Sequence, residues 1–413
     1  GSFGAQSSTS LNRDQMIKQA ITNRRVIYGT AKVAGPLVFM ETTDNNKYLH
    51  MVIALASHQI TNVSKFYIDD VEVETDIYGF VGGDFKNKAR IFWANGSDDQ
   101  VANGNLVSES GGLWTNDHRL QGIAYLYARL EFDQDVFPNG IPNISALVHG
   151  KRVYDPRDAT TELSTNPALC IRDYLLNERF GLDADANEIN DTNLSAVANT
   201  CDESVTIANP SGTEKRFSLN GTFNLDKAPK SILENMLSSI AGNLIYSNGQ
   251  FKLRPAVYET PSVTLDEEHI RSGISLNTRI SKKELFNAVK GLYSEPDNNY
   301  QPQDYPILTN STFETEDNSE RIFGEFNFPM TTSSHTVQRI AKIQLLKARQ
   351  QISFTATFNL KAFQLDIGDT VQITNSRLGF TNKTFEITNW AFAMGGDGIP
   401  VVSCEFRETA SAV

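Results

Sequence analysis

The stretch Tyr48-Leu49-His50-Met51-Val52-Ile53-Ala54-Leu55-Ala56 is long and mostly apolar. A run of this kind beside turn residues predicts a strand covered on both faces, in the centre of a sheet. The turn on its N-terminal side is Thr43-Asp44-Asn45-Asn46, whose Asp and Asn side chains suit tight turns. A central strand needs neighbours, so the sequence around it should supply further strands.

Strand-like runs lie on both sides of this segment. Arg25–Tyr28 and Leu37–Met40 precede it, and Lys65–Ile68 and Val71–Glu74 follow it. The last two flank Asp69-Asp70, a pair that suits the turn of a β-hairpin. The first third of the chain is therefore predicted to form antiparallel sheet.

The strand pattern weakens between about residues 77 and 120, where only Ala89–Trp93 looks like a strand, and we interpret this stretch as a loop-rich insertion. Alternation returns at Gly122–Phe132, with alanine and leucine on one face and Tyr125 and Tyr127 on the other. The tyrosine face either is buried between sheets, which we favour, or forms an exposed surface that binds sugar or protein.

The middle of the chain changes to helical periodicity. Asn166-Pro167 supplies an N-cap and a proline at the first helical position, which predicts a helix from Ala168 to Phe180 that ends at Gly181. A hairpin further along turns at Asn248-Gly249, since both residues accept the positive φ of a type I′ turn. The other predicted elements are helices at Thr192–Thr200 and Pro229–Ala241 and hairpin strands at Leu244–Ser247 and Gln250–Leu253.

After Pro261 the pattern returns to sheet. Ser333 or Ser334 can cap a helix that runs to about residue 350. Leu365–Ile373 has the strand-turn-strand pattern of a corner in a small barrel. The remaining predicted strands are Phe286–Tyr293, Ile352–Leu360, Phe385–Phe392 and Val401–Phe406.

These patterns predict a mainly β fold with an α/β module, in four parts. Residues 1–24 form an N-terminal arm, and residues 25–165 form a first β domain that contains the insertion at about 77–120. Residues 166–256 form a small α/β domain, and residues 257–413 form a second β domain with its helix at about 334–350.

Composition excludes several classes of function. The 413 residues include 37 Lys and Arg against 49 Asp and Glu, a net charge of −12, which argues against a general nucleic-acid binder. Hydrophobic residues make up 40%, which argues against intrinsic disorder. No run of 18 apolar residues is present, so we expect no membrane-spanning helix, and the small, polar start at residues 1–10 lacks the pattern of a secretory signal.

Motifs of common enzymes are absent from the sequence. There is no GxSxG, HExxH, GxxxxGK[ST] or GxGxxG pattern. The histidines are scattered, with no pair at i, i+4, so structural roles are favoured for all of them: His50, His58, His118, His149, His269 and His335. The sequence therefore predicts no catalytic, cofactor-binding or metal-binding residue.

Three weaker candidates remain as alternatives. The stretch from Asp183 to Asp191 begins like a calcium loop but lacks the required Gly and the final Glu, so a solvated loop with Asn190 or Asp191 as a helix cap is favoured. Paired carboxylates could serve a glycosidase, although adjacent acids are usually solvated; the pairs are Asp133 with Asp135 and Glu267 with Glu268. Cysteines are expected to be buried apolar residues: Cys170, Cys201 and Cys404.

Several runs, taken in order, resemble the central tail-tip protein of long-tailed phages, the hub or tip attachment family. The resemblance covers roughly residues 13–408 and depends on the order of the runs, since no single motif is diagnostic. The runs are Arg25–Gly29, Gly35–Phe39, Asn45–Ala56, Asp133–Pro142, Asn166–Leu175, Asn177–Leu182, Cys201–Glu203 and the helix and hairpin at 229–253.

The resemblance implies two antiparallel β-barrel hub domains, which in a homotrimer would form a ring of six barrels at the distal end of the tail tube. Such a hub seats the tube and tape-measure end, closes the channel and lets DNA pass during infection. The implied partners are distal tail, tape-measure and tip assembly proteins and a receptor-binding or fibre protein. The implied location is the virion tail tip, after assembly in the bacterial cytoplasm, and we expect receptor contact to lie outside these 413 residues.

In such a hub, the net negative charge and the loop-rich stretches of this chain would each have a function. An acidic channel wall would let DNA pass without gripping its phosphates, so part of the −12 is expected to face the lumen. The loop-rich stretches at 77–120 and 294–320 could dock neighbouring proteins. A non-enzymatic hub is the leading hypothesis. The alternatives are a hub that cleaves polysaccharide or peptidoglycan with Asp133 and Asp135, and a carbohydrate-binding module that uses Tyr125 and Tyr127.

Overall fold

The computed structural model describes residue 16 and residues 22–261, 263–279, 285–396 and 398–410. The predicted N-terminal arm at residues 1–24 lies mostly outside the described residues. The fold is mainly β, as expected, with helices concentrated in the middle of the chain. No helix among the described residues has the length and apolar character that crossing a membrane requires.

The first β region contains twelve strands and one helix in the described residues. They are β1 Arg25–Tyr28, β2 Thr30–Val33, β3 Leu37–Thr43, β4 Tyr48–Ala56, β5 Asn62–Ile68, β6 Val71–Val73, β7 Phe80–Val81, β8 Ala89–Ala94, α1 Gly104–Glu109, β9 Ala124–Glu131, β10 Ile144–His149, β11 Arg152–Asp155 and β12 Thr160–Leu163.

Most of these strands form two sheets that share one apolar core. The five-stranded sheet has the order β3-β4-β9-β8-β7, and the four-stranded sheet has the order β2-β10-β5-β6. Strand β4 lies inside this sheet between β3 and β9, consistent with the predicted buried strand, and its middle residues Met51, Val52 and Ile53 are fully buried. The shared core joins Met51 and Ile53 of the first sheet to Val33 and Ala146 of the second, so the sheets pack face to face.

The insertion is more ordered than its sequence indicated. Its strand β8 pairs with β9 from Ala89 opposite Leu130 to Ala94 opposite Tyr125, so it belongs to the five-stranded sheet. The predicted hairpin between β5 and β6 is confirmed, with Asp69 and Asp70 at φ 49° and 65°. Four short elements of the first β region were not predicted: β2, β7, α1 and β12.

The middle of the chain forms the α/β part. It contains α2 Pro167–Leu176, α3 Asp191–Asp202, β13 Ser204–Ala208, β14 Ser211–Lys215, β15 Gly221–Asn224, α4 Pro229–Ser238, β16 Asn243–Ser247 and β17 Gln250–Arg254. The predicted caps Asn166 and Asn190 accept hydrogen bonds from the first turns of α2 and α3. The predicted turn at Asn248-Gly249 is also confirmed, with φ of 52° and 76°.

Two helices end earlier than predicted. Helix α2 ends at Leu176, not Phe180, because Asn177 adopts an extended ψ of 119° and caps the following turn instead. Helix α4 ends at Ser238, not Ala241, because Ala241 is left-handed at φ 46°. In both cases a short turn after the helix continues the apolar pattern, which the sequence alone made look helical.

The remaining elements form the last part of the described chain. They are β18 Val263–Leu265, β19 Ser275–Asn277, β20 Ala288–Lys290, β21 Leu292–Glu295, β22 Gln301–Asp304, β23 Leu308–Thr309, α5 Ser311–Glu316, β24 Phe323–Glu325, α6 Ser334–Ala348, β25 Ser353–Phe358, β26 Thr370–Asn375, β27 Phe380–Met394 and β28 Pro400–Glu408. Ser333 caps α6, one of the two predicted caps. The six-stranded sheet has the order β18-β26-β27-β28-β25-β19.

Pairings between distant segments connect the parts. Strand β1 pairs with β15, from Arg25 opposite Asn224 to Tyr28 opposite Gly221. The largest core accordingly spans Val26 to Leu345 and includes α2, α3, α4 and α6. Among the described strands, neither β region closes into a complete ring of hydrogen bonds. The barrel form and the domain boundaries at 165 and 256 remain predictions.

Candidate interaction surface

The two tyrosines considered for a sugar-binding face are buried. Tyr125 and Tyr127 on β9 have no exposed surface. Leu106 of α1 and Trp114 from the loop after it pack against them in a separate small core. The hypothesis of an exposed Tyr125/Tyr127 binding face is therefore wrong. Burial is as we favoured, but the cover comes from the insertion and not from a second sheet.

Glu109, the last residue of α1, fixes this cover through a polar network. Its carboxylate accepts hydrogen bonds from Arg129 at 3.0 Å and from the Tyr127 hydroxyl at 3.1 Å, and it also pairs with Arg90. On the other side of the Tyr127 hydroxyl lies His50 Nδ1, at 2.9 Å. Burial lowers the pKa of His50 and raises that of Tyr127, so both side chains are neutral at pH 7. The network anchors the insertion to the sheet.

The paired carboxylates have local structural roles. Asp133 Oδ1 accepts hydrogen bonds from the backbone N–H groups of Asp135 and Val136, at 3.0 and 3.3 Å, which closes a turn. Glu267 accepts from the Ser376 hydroxyl at 2.6 Å, and this contact lowers the pKa of Glu267. A catalytic acid would need a carboxyl with a raised pKa, whereas the contact with Ser376 lowers the pKa of Glu267.

The calcium-like loop is held by its own hydrogen bonds. Asp185 and Glu188 form a reciprocal capping box around one 3-10 turn. Glu188 also accepts from the Tyr246 hydroxyl at 2.8 Å, and Asp191 pairs with Arg172 at 2.7 Å. Across the described part of the chain, no group of three or more His, Cys, Asp and Glu side chains is arranged to hold a metal ion.

His58 connects the first strand to the end of β4. The backbone N–H of Ile27 donates to His58 Nε2 at 2.9 Å, and His58 Nδ1 lies 2.8 Å from the Gln59 carbonyl. Because Nε2 accepts, the ring proton is on Nδ1 and the imidazole is neutral. Burial lowers the pKa of His58 to about 4. His58 therefore has a structural role, as expected from the sequence.

All three cysteines are buried as free thiols. Burial raises the pKa of Cys201 and Cys404 to about 12 and that of Cys170 further. Thiolates, the reactive form, are therefore negligible at pH 7. The expectation that these side chains are apolar filling agrees with their burial.

Part of the second loop-rich stretch docks on the chain's own first β region. Lys32 of β2 donates to Asp70 at 2.9 Å and to Asn299, in the β21–β22 turn, at 3.0 Å. Its ammonium also lies 3.9 Å from the centre of the Tyr67 ring. Beside this contact is a cleft of about 190 Å³, which Tyr300 and Ser145 help to line. These contacts hold the two halves of the molecule together.

An apolar strip remains exposed on the six-stranded sheet. Its side chains lie on the outer part of β27, on the 3-10 turn Leu360–Gln364 and beside β28. Each has a little over half of its surface exposed: Leu360, Phe363, Phe392, Met394 and Ile399. The rings of Phe363 and Phe392 meet edge to face at 5.7 Å, so the turn and the strand both contribute to this surface. Such a strip, rimmed by polar residues, is typical of a protein-binding surface.

The sequence analysis missed both the Glu109 network and this apolar strip. Asn103, an N-cap residue before an apolar pair, was the available signal for α1. The signal for the strip was the run from Ile387 to Val401, which contains one ionisable residue, Asp397. Neither signal reveals exposure, because exposure depends on which distant segments cover a strand.

Three comparisons with known proteins point to one group. Residues 228–390 match the model of a family described as "Putative phage tail protein". The baseplate hub protein pb3 of Escherichia phage T5 is 21% identical and aligns with 87% of this chain and 45% of its own length. The tip attachment protein J of Escherichia phage SECphi27 is 26% identical over 44% of this chain and 16% of its own length.

A solved structure shares the fold. A chain in the virion of a native gene transfer agent particle superposes with a TM-score of 0.72 and 13% identity, over 99% of this chain and 89% of that one. The present chain spans less than half the length of the curated relatives it matches. Family, relatives and fold agree with the resemblance found in the sequence. The chain is thus similar to phage tail proteins, among them a baseplate hub protein and a tip attachment protein, and it shares its fold with a chain of a virion particle.

Proposed function

We propose that this protein is the structural hub of a tail tip, a homotrimer that caps the distal end of the tail tube. It organises assembly of the tip and opens during infection so that the tape-measure protein and the genome leave. The observation that carries this proposal is the alignment of 87% of the chain with a baseplate hub protein. The fold, shared with a virion chain over 99% of the present chain and 89% of that one, supports it.

In the proposed trimer, the two β regions act as barrel-like hub domains around the threefold axis. The first corresponds to residues 25–165 and the second to residues 257–413, with the α/β part at 166–256 beside them. The Lys32–Asn299 contact and the core shared between β1 and α6 support this arrangement, since they connect the two regions firmly within one chain. Two linked, similar units per chain would give a ring of six.

Charge suits the passage of nucleic acid. With 49 acidic against 37 basic residues, the protein has too few cations to hold phosphates tightly, and an acidic channel wall would repel them. We propose that part of this acidic surface faces the channel. DNA then passes without specific binding.

The proposed role is assembly and not catalysis. The carboxylates Asp133 and Glu267 serve turns, and the polar network at Glu109 is buried under α1. The proposed partners are the distal tail, tape-measure and tip assembly proteins, together with a receptor-binding or fibre protein. Incubation with peptidoglycan and capsule polysaccharide checks the enzymatic alternative, which release of reducing ends lost in Asp133→Ala would support.

Labelling of particles tests the hub function directly. Antibodies against this chain should mark the distal tip of the tail in electron micrographs, and particles lacking the chain should have no completed tip. In solution, the purified protein at high concentration should have a mass of about 137 kDa, three times the 45.8 kDa chain. Label along the tail tube or on the head would contradict the proposal.

A further inference from the structure

We propose that the outer segment of β27, Thr388–Met394, together with the turn at Leu360–Gln364, is the surface on which a second copy of this chain docks. This inference rests on the proposed function, because a homotrimeric hub requires a contact between copies. It goes beyond that function by naming the residues that make the contact.

The first observation is an unpaired sheet edge. Strand β26 covers β27 only as far as Glu386, which lies opposite Thr370. Beyond this point β27 continues for eight residues, paired on one side with β28, from Asn389 opposite Glu405 to Met394 opposite Pro400. No strand among the described residues pairs with its other side. Alternate backbone N–H and C=O groups of this segment therefore point outward.

The second observation is that both faces of the segment are exposed. Up to Ile387, β27 is anchored by side chains buried in the core of the sheet, Phe380, Phe385 and Ile387. From Thr388 to Met394 every residue is exposed except Trp390, which is partly covered by the turn and donates to the Ala362 carbonyl at 3.2 Å. The segment thus extends past the part of the sheet that its own core supports.

The third observation is the absence of the usual edge protection in this segment. Exposed edges generally carry charges or proline, or are very short, because an open apolar edge recruits other chains. Other edges of the described sheets follow this rule: β3 carries exposed Glu41, β6 carries Glu72, and β18 and β19 have three residues each. Residues 388–394 carry neither charge nor proline. An edge of this kind persists in a soluble protein when a partner covers it.

Chemistry identifies the partner as another copy of the chain. Interfaces between identical subunits are more apolar than transient contacts and are poor in charge and rich in aromatic residues and methionine. The strip shows this composition, since Phe363, Phe392 and Met394 are three of its five members. With about half of each side chain exposed, its five members expose on the order of 400 Å², half of what one partner contributes to a standard interface.

Ring geometry requires the strip to meet a different surface on the next copy. Around a threefold axis, contacts run head to tail, so each copy offers one surface and receives another. An open strand edge suits this arrangement, because it can add an extended segment of the neighbour by backbone hydrogen bonds.

A double variant tests the docking surface. Phe392→Glu with Met394→Glu places two charges on the strip at exposed positions, so folding should be unaffected, as circular dichroism and thermal unfolding will check. The wild-type chain should sediment at about 137 kDa and the variant at 45.8 kDa at the same concentration. Phe132→Glu with Ile141→Glu is the matched control, since both side chains are exposed in the connection between β9 and β10. The control should assemble like the wild type.

A photo-crosslinker at position 392 gives an independent measurement. With purified protein alone, it should join two copies into a product of about 92 kDa, twice the chain mass. Assembly that persists in the charged variant, or no crosslink between copies, overturns the docking surface and leaves the hub function standing. If copies crosslinked through residue 392 but antibodies did not find the protein at tail tips, the hub function alone would be overturned. A wild-type chain that stays monomeric at high concentration overturns both the docking surface and the trimer.

Discussion

The Tyr127 hydroxyl donates a hydrogen bond to the Glu109 carboxylate across 3.1 Å. This contact joins the end of α1 to the central strand β9, eighteen residues further along the chain. The two arginines that also bind the carboxylate, Arg90 and Arg129, come from the neighbouring strands β8 and β9. The covering insertion is thus attached to the sheet by a charge-assisted network and not by apolar packing alone.

Glu109→Gln should destabilise the protein by about 2 kcal/mol, because it leaves two mostly buried arginines without their shared anion. Urea unfolding followed by tryptophan fluorescence measures this, since Trp114 lies in the cover. Glu72→Gln is the control. The Lys65–Glu72 pair is about half exposed, so its loss should cost under about 0.5 kcal/mol. Equal effects of the two changes would contradict the role of the network.

His58 should make stability depend on pH between about 4 and 6.5. Burial lowers its pKa to about 4 in the folded protein, while the unfolded chain has the ordinary value of about 6.5. The unfolded state therefore binds more protons in this window, and stability falls as pH decreases through it, by up to about 3 kcal/mol. Thermal unfolding measured at several pH values checks this expectation.

His58→Gln separates this effect from general acid sensitivity. The Gln side chain can still accept from Ile27 and donate to Gln59 but does not titrate, so its stability should change less between pH 6.5 and 4. His118→Gln, at an exposed position, should keep the slope of the wild type. If the stability of His58→Gln depended on pH as steeply as that of the wild type, His58 would not be the origin of the pH dependence.

Local signals predicted much of this fold. Asn166 and Ser333 cap the helices they were expected to cap, and Asn248-Gly249 and Asp69-Asp70 turn the expected hairpins. Each depends on residues within a few positions of one another, so the sequence contains the whole interaction.

Long-range pairing set the limit of prediction. Strand β1 pairs with β15, about 200 residues away, and no local pattern indicates that partner. Tyr125 looked like a possible binding residue because its cover, Leu106 and Trp114, comes from a stretch with little periodicity. Exposure of Phe392 was equally hidden, since it follows from the early end of β26.

Gly29 should tolerate alanine far less well than Gly249 does. Both have a positive φ, 62° and 76°, so alanine costs about 1 kcal/mol at either position. At Gly29 a Cβ would also meet the Leu219 carbonyl oxygen at 2.4 Å, whereas at Gly249 it would enter open space. Gly29→Ala should therefore lose at least about 2 kcal/mol more in denaturant unfolding. Similar losses would mean that the β1–β2 turn can shift freely.

Glu214 should hold the β13–β14 hairpin against α6. Burial acts to raise its pKa, but hydrogen bonds from Ser333 at 2.7 Å and from Arg339 at 2.6 Å outweigh this and lower it. Its contribution is thus present above about pH 4.5 and lost as pH falls below that value. Glu214→Gln should make trypsin cleavage at Lys215 several times faster at pH 7. The same change at the more exposed Glu203, which pairs with Arg216, should alter the rate little.

Asp366 should control how firmly the α/β part is attached to the six-stranded sheet. Its carboxylate accepts a hydrogen bond from the Ser247 hydroxyl at 2.9 Å and pairs with the Lys252 ammonium. Next to this pair, Arg254 donates to Asp369 at 2.6 Å. The junction between the β16–β17 hairpin and the corner before β26 is therefore formed by ion pairs.

Asp366→Asn keeps the shape and removes the charge at this junction. The Lys252 ammonium then loses its partner, and the junction should open more often. Hydrogen exchange of amides in Gln250–Arg254 should accelerate about tenfold, equivalent to about 1.4 kcal/mol. Burial acts to raise the pKa of Asp366, but its bonds lower it overall, so in the wild type the same loss of protection, relative to intrinsic exchange at each pH, should appear only as pH falls below about 4. Glu234→Gln, which breaks the exposed Lys230–Glu234 pair, is the control and should leave the exchange unchanged. If both substitutions accelerated exchange equally, charge pairing would not be what holds the junction.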